Sequence, residues 1–223
     1  MANQTDRKHI AERTAKMLID IEALGARPEE PFTLTSGTKS PVYIDCRRLI
    51  SFVSEREEVI GFLEEVVRDA VDGPIDAVAG GETAGIPYAA FLSWKMGLPM
   101  LYVRKKPKGF GKHAMVEGNF KEGTRVVLVE DLIFDGGSKV NFINGLRMAG
   151  LEVNHAFTIA SYGFSKEYEK TLGAIGVKVS WLTDWPAIVE VAERTGYFSP
   201  ETADMVREFL ADPHTWSRAR GGK

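Results

Sequence analysis

The sequence predicts an α/β fold built on a mainly parallel sheet. Short β-rich runs alternate with helical stretches along most of the chain, the pattern of strands joined by crossover helices. One run, Val126 to Val129, is four consecutive apolar residues that end on two acids and then a glycine-bearing turn. An unbroken apolar run of that length reads as a strand buried on both faces, as parallel strands are. The composition is that of an ordinary globular chain, with 223 residues, 44% of them hydrophobic and 26% charged. A chain of this size buries a substantial core and suits one domain, 1–223.

The first helix is expected over Asp6 to Leu24, with Ile10, Thr14, Met17, Leu18 and Ile21 on one face and Gly25 as its C-terminal cap. Phe32 to Leu49 carries Thr, Val, Tyr and Ile but is broken by Gly37 and Pro41, and reads as a hairpin or hood outside the main sheet. A second helix, Glu55 to Ala70, is expected to bury Val59, Ile60, Leu63, Val66, Val67 and Ala70. Strands follow at Ile75 to Ala79, Met100 to Arg104, Arg125 to Val129, His155 to Ser161 and Val177 to Leu182, separated by helices at Thr83 to Met96, Ser138 to Ala149 and around Tyr168. Two further helices close the chain, the last opening at Ser199-Pro200, an N-cap and first-position pair. Residues 1–50 thus form a helix and hood, 51–212 an α/β core, and 213–223 a basic, glycine-bearing tail expected to fray. Lys105 to Gly123 stands apart: rich in lysine and glycine and poor in apolar anchors, it predicts a loop that closes as a basic lid over phosphates.

Formal net charge is −3, so no global positive field recruits nucleic acid or an anionic membrane, and a polyanionic substrate has to be met by a local basic patch. No apolar run approaches the roughly 20 residues of a membrane-spanning helix. The polar start, Met1 to His9, leads into a helical pattern and is not expected to be a secretory signal. The single cysteine, Cys46, excludes an internal disulfide and a cysteine-based zinc cluster, and a reducing, cytoplasmic setting is expected. His9, His155 and His214 have no metal-ligand or triad spacing and read as surface or packing residues.

The chemistry concentrates between Val126 and Ser138. The apolar strand delivers Glu130 and Asp131 to its C-terminal end, the side of an open α/β sheet where ligands bind. Gly136-Gly137-Ser138 then opens a helix, where free backbone N–H groups and the helix dipole favour a phosphate. Acids for ribose hydroxyls beside glycine amides for a 5′-phosphate suit a phosphorylated sugar. The segment is neither a Rossmann fingerprint nor a Walker A loop, because neither G-x-G-x-x-G nor Gly-Lys-Ser/Thr is present.

Hydrophobic strand, two acids and small-residue loop together resemble the phosphoribosyl pyrophosphate (PRPP) motif of type I phosphoribosyltransferases. Three other segments, in the family's order, resemble orotate phosphoribosyltransferase. Phe32-Thr33-Leu34-Thr35-Ser36-Gly37, continuing through Lys39-Ser40-Pro41 to Tyr43-Ile44-Asp45-Cys46-Arg47, looks like that family's N-terminal hood. Gly80-Gly81-Glu82-Thr83-Ala84-Gly85 looks like its pyrophosphate loop, and Tyr102-Val103-Arg104-Lys105-Lys106-Pro107-Lys108 like the strand entering its catalytic loop.

The resemblance implies a single type I phosphoribosyltransferase domain that transfers the phosphoribosyl group of PRPP to orotate. The products are orotidine 5′-monophosphate, the precursor of UMP in pyrimidine biosynthesis, and pyrophosphate. It implies Mg²⁺ carried by PRPP, with Asp131 as the side chain nearest to it, and a homodimer in which the lid reaches the neighbouring site. Lys105, Lys108 and Asp131 are the implied catalytic residues. Arg104, Lys112, Glu130, Asp135, Gly136, Gly137 and Ser138 join them in holding PRPP, with Gly81, Glu82 and Thr83 at its pyrophosphate. Tyr43, Ile44 and Lys39 are the implied orotate contacts. The chain departs from the family's most familiar pattern at Phe134 and Asp135 in the phosphate loop, and at Ala160-Ser161-Tyr162-Gly163, a strand end without the arginine that many members carry. With that arginine absent, the orotate carboxylate falls to hood backbone, Lys39, Arg47 or another group. Transfer to a different base, and a non-catalytic PRPP-binding regulator, are the competing functions.

Overall fold

The computed structural model of the chain describes residues 4–34, 36–109 and 115–223, with side chains from Asp6 onward. Its centre is a six-stranded sheet formed by β5 (Ala77–Gly81), β6 (Met100–Val103), β7 (Val116–Glu117), β8 (Arg125–Ile133), β9 (Glu152–Ser161) and β10 (Lys178–Asp184), in the order β10-β9-β8-β5-β6-β7. Every pairing is parallel except β6 with β7. Alternation along the strands splits the core in two. Val127 and Val129 of β8, with Phe157 and Ile159 of β9, face α1 (Gln4–Asp20), α2 (Val53–Ala70), α3 (Gly85–Met96), α6 (Trp185–Arg194) and α7 (Pro200–Ala211). Val126 and Leu128 face α4 (Gly137–Met148) and α5 (Ser165–Thr171). Period-two side-chain alternation in a sheet covered on both sides produces this division.

The strands and helices follow the sequence expectations, with several differences of consequence. Helix α1 stops at Asp20 rather than Leu24, because Glu22 takes a left-handed φ of 55° and the chain turns back. Gly25 is therefore not a helix cap; it lies in β1 (Leu24–Ala26), where a Cβ would sit 2.9 Å from the Phe32 ring. Strand β8 runs four residues beyond Val129 to Ile133, so the acid pair is held inside the ladder, with Glu130 opposite Thr158. Within the expected lid Lys105 to Gly123, Val116 and Glu117 form β7 and pair antiparallel with Val103 and Tyr102 of β6.

The hood is two small antiparallel pairs: β1 with β4 (Val42–Ile44), and β2 (Phe32–Thr33) with β3 (Lys39–Ser40). A 3-10 helix, Cys46–Ser51, links it to α2. At the other end, three helices rather than two follow β10: α6, α7 and α8 (Pro213–Arg218). Each starts the same way, with Asp184, Ser199 or Asp212 accepting a hydrogen bond from a backbone N–H in the first turn and proline just inside the helix. The expected frayed tail is instead seated on the hood: Lys223 N–H donates to the Gly37 carbonyl at 3.1 Å.

Phe157 is fully buried between β9 and the helices, whereas Trp94 on α3 is 87% exposed. Phe157→Ala is expected to cost about 3–5 kcal/mol by loss of transfer energy and creation of a cavity. Trp94→Ala should stay within about 0.5 kcal/mol of the parent. Urea unfolding of both variants checks the contrast.

Candidate active site

The C-terminal ends of β5 and β8, the start of α4 and the hood enclose a cleft of about 1050 Å³. Its lining includes Glu82, Thr83 and Ala84 after β5, Glu130 and Asp131 on β8, and Asp135 to Lys139 around the start of α4. The hood contributes Thr33, Leu34, Ser36, Tyr43, Ile44 and Arg47. Three stretches distant in sequence, the hood, 82–84 and 130–139, therefore meet at one opening, at the sheet edge where parallel strands end.

Glu130 anchors the arrangement. Its side chain is 7% exposed, and Oε2 lies 3.0 Å from Nζ of Lys139, itself 9% exposed. The other oxygen, Oε1, is buried without a hydrogen-bond partner among the described residues. It occupies space that a side chain on the glycine loop would fill, since a Cβ on either Gly81 or Gly85 would stand 2.4 Å from it. Burial pushes the Glu130 carboxyl above the usual carboxylate range, and Lys139 opposes that shift. Asp131, on the opposite face of the strand, is likewise raised by burial, with Lys139 again opposing. One Asp131 oxygen accepts the Leu132 N–H at 2.9 Å.

The loop after β5 and the hairpin after β6 are tied together. Glu82 N–H donates to the Val103 carbonyl at 2.9 Å, and Glu82 Oε2 accepts the Lys105 N–H at 2.8 Å. Asn141 of α4 donates to the Lys105 carbonyl at 3.3 Å. The Glu82–Thr83 peptide is cis. In the phosphate loop, Asp135 does not project at the expected anion; its carboxylate accepts the Gly137 N–H at 2.9 Å, and Thr171 donates to its carbonyl at 3.2 Å.

Phe134 turns inward and makes edge-to-face contacts with Tyr162, centroids 4.9 Å apart, and Phe164, 5.4 Å. Tyr162 is fully buried and donates to the Val42 carbonyl of the hood at 3.3 Å. Where the resemblance would look for an arginine, the strand end supplies an aromatic floor that supports the hood. Tyr88 of α3 ties the same region down by donating to the Cys46 carbonyl at 2.6 Å. Burial raises the Cys46 thiol well above its ordinary value, so it remains a protonated packing group.

Of the side chains singled out from sequence, Glu82, Thr83, Lys105, Glu130, Asp131, Asp135, Ser138, Tyr43 and Ile44 come together on the cleft, with the backbone of Gly136 and Gly137. Gly81 stands behind, against Glu130. Arg104 is turned to Glu117 at 3.6 Å within the hairpin, and Lys108 is exposed outside the cleft lining. Lys39 is also off the cleft: its Nζ donates to Thr33 Oγ1 at 2.8 Å and its N–H to Ser217 Oγ at 2.8 Å. Lys112 lies outside the described residues.

Sequence reading missed Lys139 and left Arg47 among several options. A lysine in the first turn of a helix opposes the dipole and is a signal in itself, because such a cation needs an anion close by. Arg47 sits on the hood rim, with Nε 2.7 Å from Asp45 Oδ1 and Nη2 3.1 Å from the Tyr43 hydroxyl. No three-residue His, Cys, Asp or Glu group able to hold a metal occurs among the described residues.

The comparisons with known proteins agree with one another. No family model matches the chain. It is 47% identical over 215 residues to an orotate phosphoribosyltransferase of Dinoroseobacter shibae, covering 96% of this chain and 95% of that protein. Among solved structures, the orotate phosphoribosyltransferase of Aeropyrum pernix aligns at 32% identity with a TM-score of 0.68, over 83% of this chain and 99% of that one. The UMP synthase of Leishmania donovani aligns at 30% identity and a TM-score of 0.78 over 90% of this chain, which spans only 42% of that longer protein. With its mainly parallel sheet in the type I phosphoribosyltransferase arrangement and a glycine loop, acid pair and phosphate loop on one cleft, the chain belongs to the orotate phosphoribosyltransferase family of pentosyl-transferring enzymes.

Proposed function

We propose that the chain transfers the phosphoribosyl group of PRPP to orotate, releasing pyrophosphate and forming orotidine 5′-monophosphate, the precursor of UMP. The observation that carries this reading is the single cleft on which a glycine loop, an acid pair, a helix-start phosphate loop and an aromatic-floored hood converge. The N–H groups around Gly137 and Ser138 receive the 5′-phosphate, as helix starts do. For Gly137 this requires the Asp135 carboxylate to give up the N–H it accepts. Asp131, ionised, holds ribose hydroxyls and favours the cationic character that builds at C1, while the 81–85 loop receives the pyrophosphate. Lys105, at the cleft, and Lys108, on the same hairpin loop, neutralise the departing pyrophosphate as that loop closes and excludes water.

The cleft carboxylates suit a hard cation that arrives on the substrate rather than one caged by protein. Glu130 is committed to Lys139, which leaves Asp131 as the side chain to touch Mg²⁺ held by PRPP oxygens. When bound, Mg²⁺ offsets charge on the pyrophosphate. At the base end, orotate lies over Phe134 and Tyr162 between Tyr43 and Ile44, and Arg47 takes its carboxylate. Arg47 is the cleft cation on the hood side, whereas Lys139 is paired and Lys105 stands on the lid side. Two further parts of the reading are a homodimer whose lid reaches the partner's cleft and residence in the cytoplasm, where a buried reduced Cys46 is stable.

Orotate consumption followed by ultraviolet absorbance is expected to require both PRPP and Mg²⁺. No consumption, with PRPP binding intact by calorimetry, would mean a different base or a non-catalytic role. Asp131→Asn should cut kcat/KM for PRPP by about 10²-fold, in the range for removing one preorganised electrostatic group; unchanged kinetics would remove Asp131 from the reaction. Lys108→Ala should lower kcat while leaving the urea midpoint unaltered, because the side chain is exposed. Arg47→Met should raise the orotate KM by roughly 30-fold, the equivalent of about 2 kcal/mol for a charge-assisted hydrogen bond. Its PRPP KM should not change.

A further inference from the structure

We propose that the segment 217–223 clamps the hood from outside the cleft, and that Ser217 and Gly222 are positioning residues for the base-binding end. This rests on the reading above that the hood covers the base. The hairpin β2–β3 has only two residues in each strand, and isolated two-stranded hairpins are marginal in water. Yet it carries Thr33, Leu34 and Ser36 to the cleft wall. Something other than its own ladder has to hold it in place.

The C-terminal segment meets that need with both a donor and an acceptor. Ser217 is fully buried, and its Oγ accepts the Lys39 N–H of β3 at 2.8 Å. Lys223 N–H donates to the Gly37 carbonyl at the hairpin turn, 3.1 Å away, and the Lys223 stem lies against Gly37. Between them the chain folds back on itself, with Gly222 N–H donating to the Ser217 carbonyl at 3.0 Å. The clamp is fixed to the core through Trp216, which is buried against Phe209 at a centroid distance of 5.4 Å and capped by the Arg220 guanidinium 3.8 Å above its ring.

Gly222 is the tightest point. A Cβ there would stand 2.8 Å from the Lys39 backbone nitrogen and 2.3 Å from Ser217 Oγ, so one added methyl separates tail from hood. Neither Ser217 nor Gly222 lines the cleft, so any effect on substrate passes through the hairpin. Loss of the clamp returns 32–40 to the low-stability end of the molecule, where segments open locally without global unfolding.

The experiment compares the full chain with Gly222→Ala, Ser217→Ala and a form lacking residues 219–223. Amide hydrogen exchange over 32–40 is measured together with KM for orotate and for PRPP. The expected result is faster exchange confined to 32–40 and an orotate KM raised about tenfold, the scale of losing one or two hydrogen bonds, with kcat and PRPP KM within about twofold. Unchanged exchange and unchanged orotate KM in all three forms would overturn the proposal. So would a loss of thermal stability that moves all constants together, because that marks a general structural role. If the parent fails to consume orotate, the functional reading falls, but exchange over 32–40 still decides whether the clamp exists.

Discussion

The burial of Glu130 is the constraint on which the rest of the site depends. A carboxylate removed from water is costly unless paired, and a lysine in the first turn of a helix stands against the dipole. Each resolves the other's difficulty here: Lys139 neutralises Glu130 at 3.0 Å, and Glu130 supplies the anion that a cation at the start of α4 needs. The pair fits beneath the sheet edge only because Gly81 and Gly85 have no side chains. One ion pair thereby fixes the relative positions of β8, the glycine loop after β5 and the phosphate loop before α4. Removing one partner of such a pair is far more damaging than its net contribution suggests, since the other is left as a buried charge.

The consequence is a cleft with a rigid floor and lighter walls. The floor is made of parallel strands buried on both faces, with Phe134 and Tyr162 locked edge-to-face and Tyr162 bonded to the hood strand. The walls are short hairpins: β2–β3 on one side, and the β6–β7 loop on the other, held at its base through Lys105 by Glu82 and Asn141.

The fold was largely readable from the sequence because parallel strands in a covered sheet leave apolar runs, and the helices between them carry plain 3.6-residue stripes. Glycines beside acids also marked segments that the structure brings together at the cleft. What escaped depended on contacts between distant residues. The pairing of Val116 with Val103 is two residues long and leaves no periodicity to detect. The extension of β8 through Glu130 and Asp131 runs against strand propensity and is enforced by its neighbours in the ladder. Lys39 looked like a cleft cation from its place in the hood, but side-chain direction in a two-residue strand is set by the partner strand, and Thr33 and Ser217 take its donors. Phe134 and Asp135 looked out of place in a phosphate loop. Packing and an Asx turn give each a structural use that no spacing rule conveys.

The charges on the cleft lead one step further. Its described lining holds Glu82, Glu130, Asp131 and Asp135 against Arg47, Lys105 and Lys139, a balance that is negative before any substrate enters. Lys139 is committed to Glu130, and Arg47 is shared with Asp45. A substrate with a phosphate at one end and a pyrophosphate at the other therefore meets few uncommitted cations on the floor. On the proposed reading, the missing positive charge comes with the reaction itself, from a divalent cation carried by the pyrophosphate and from lysines on the β6–β7 loop. On that same reading, binding of the polyanion supplies the differential interaction that closes the loop, because Lys105 already stands at the cleft whereas Lys108 reaches the charge only on closure. A floor already rich in cations would bind phosphates with the lid open and leave closure without a driving force.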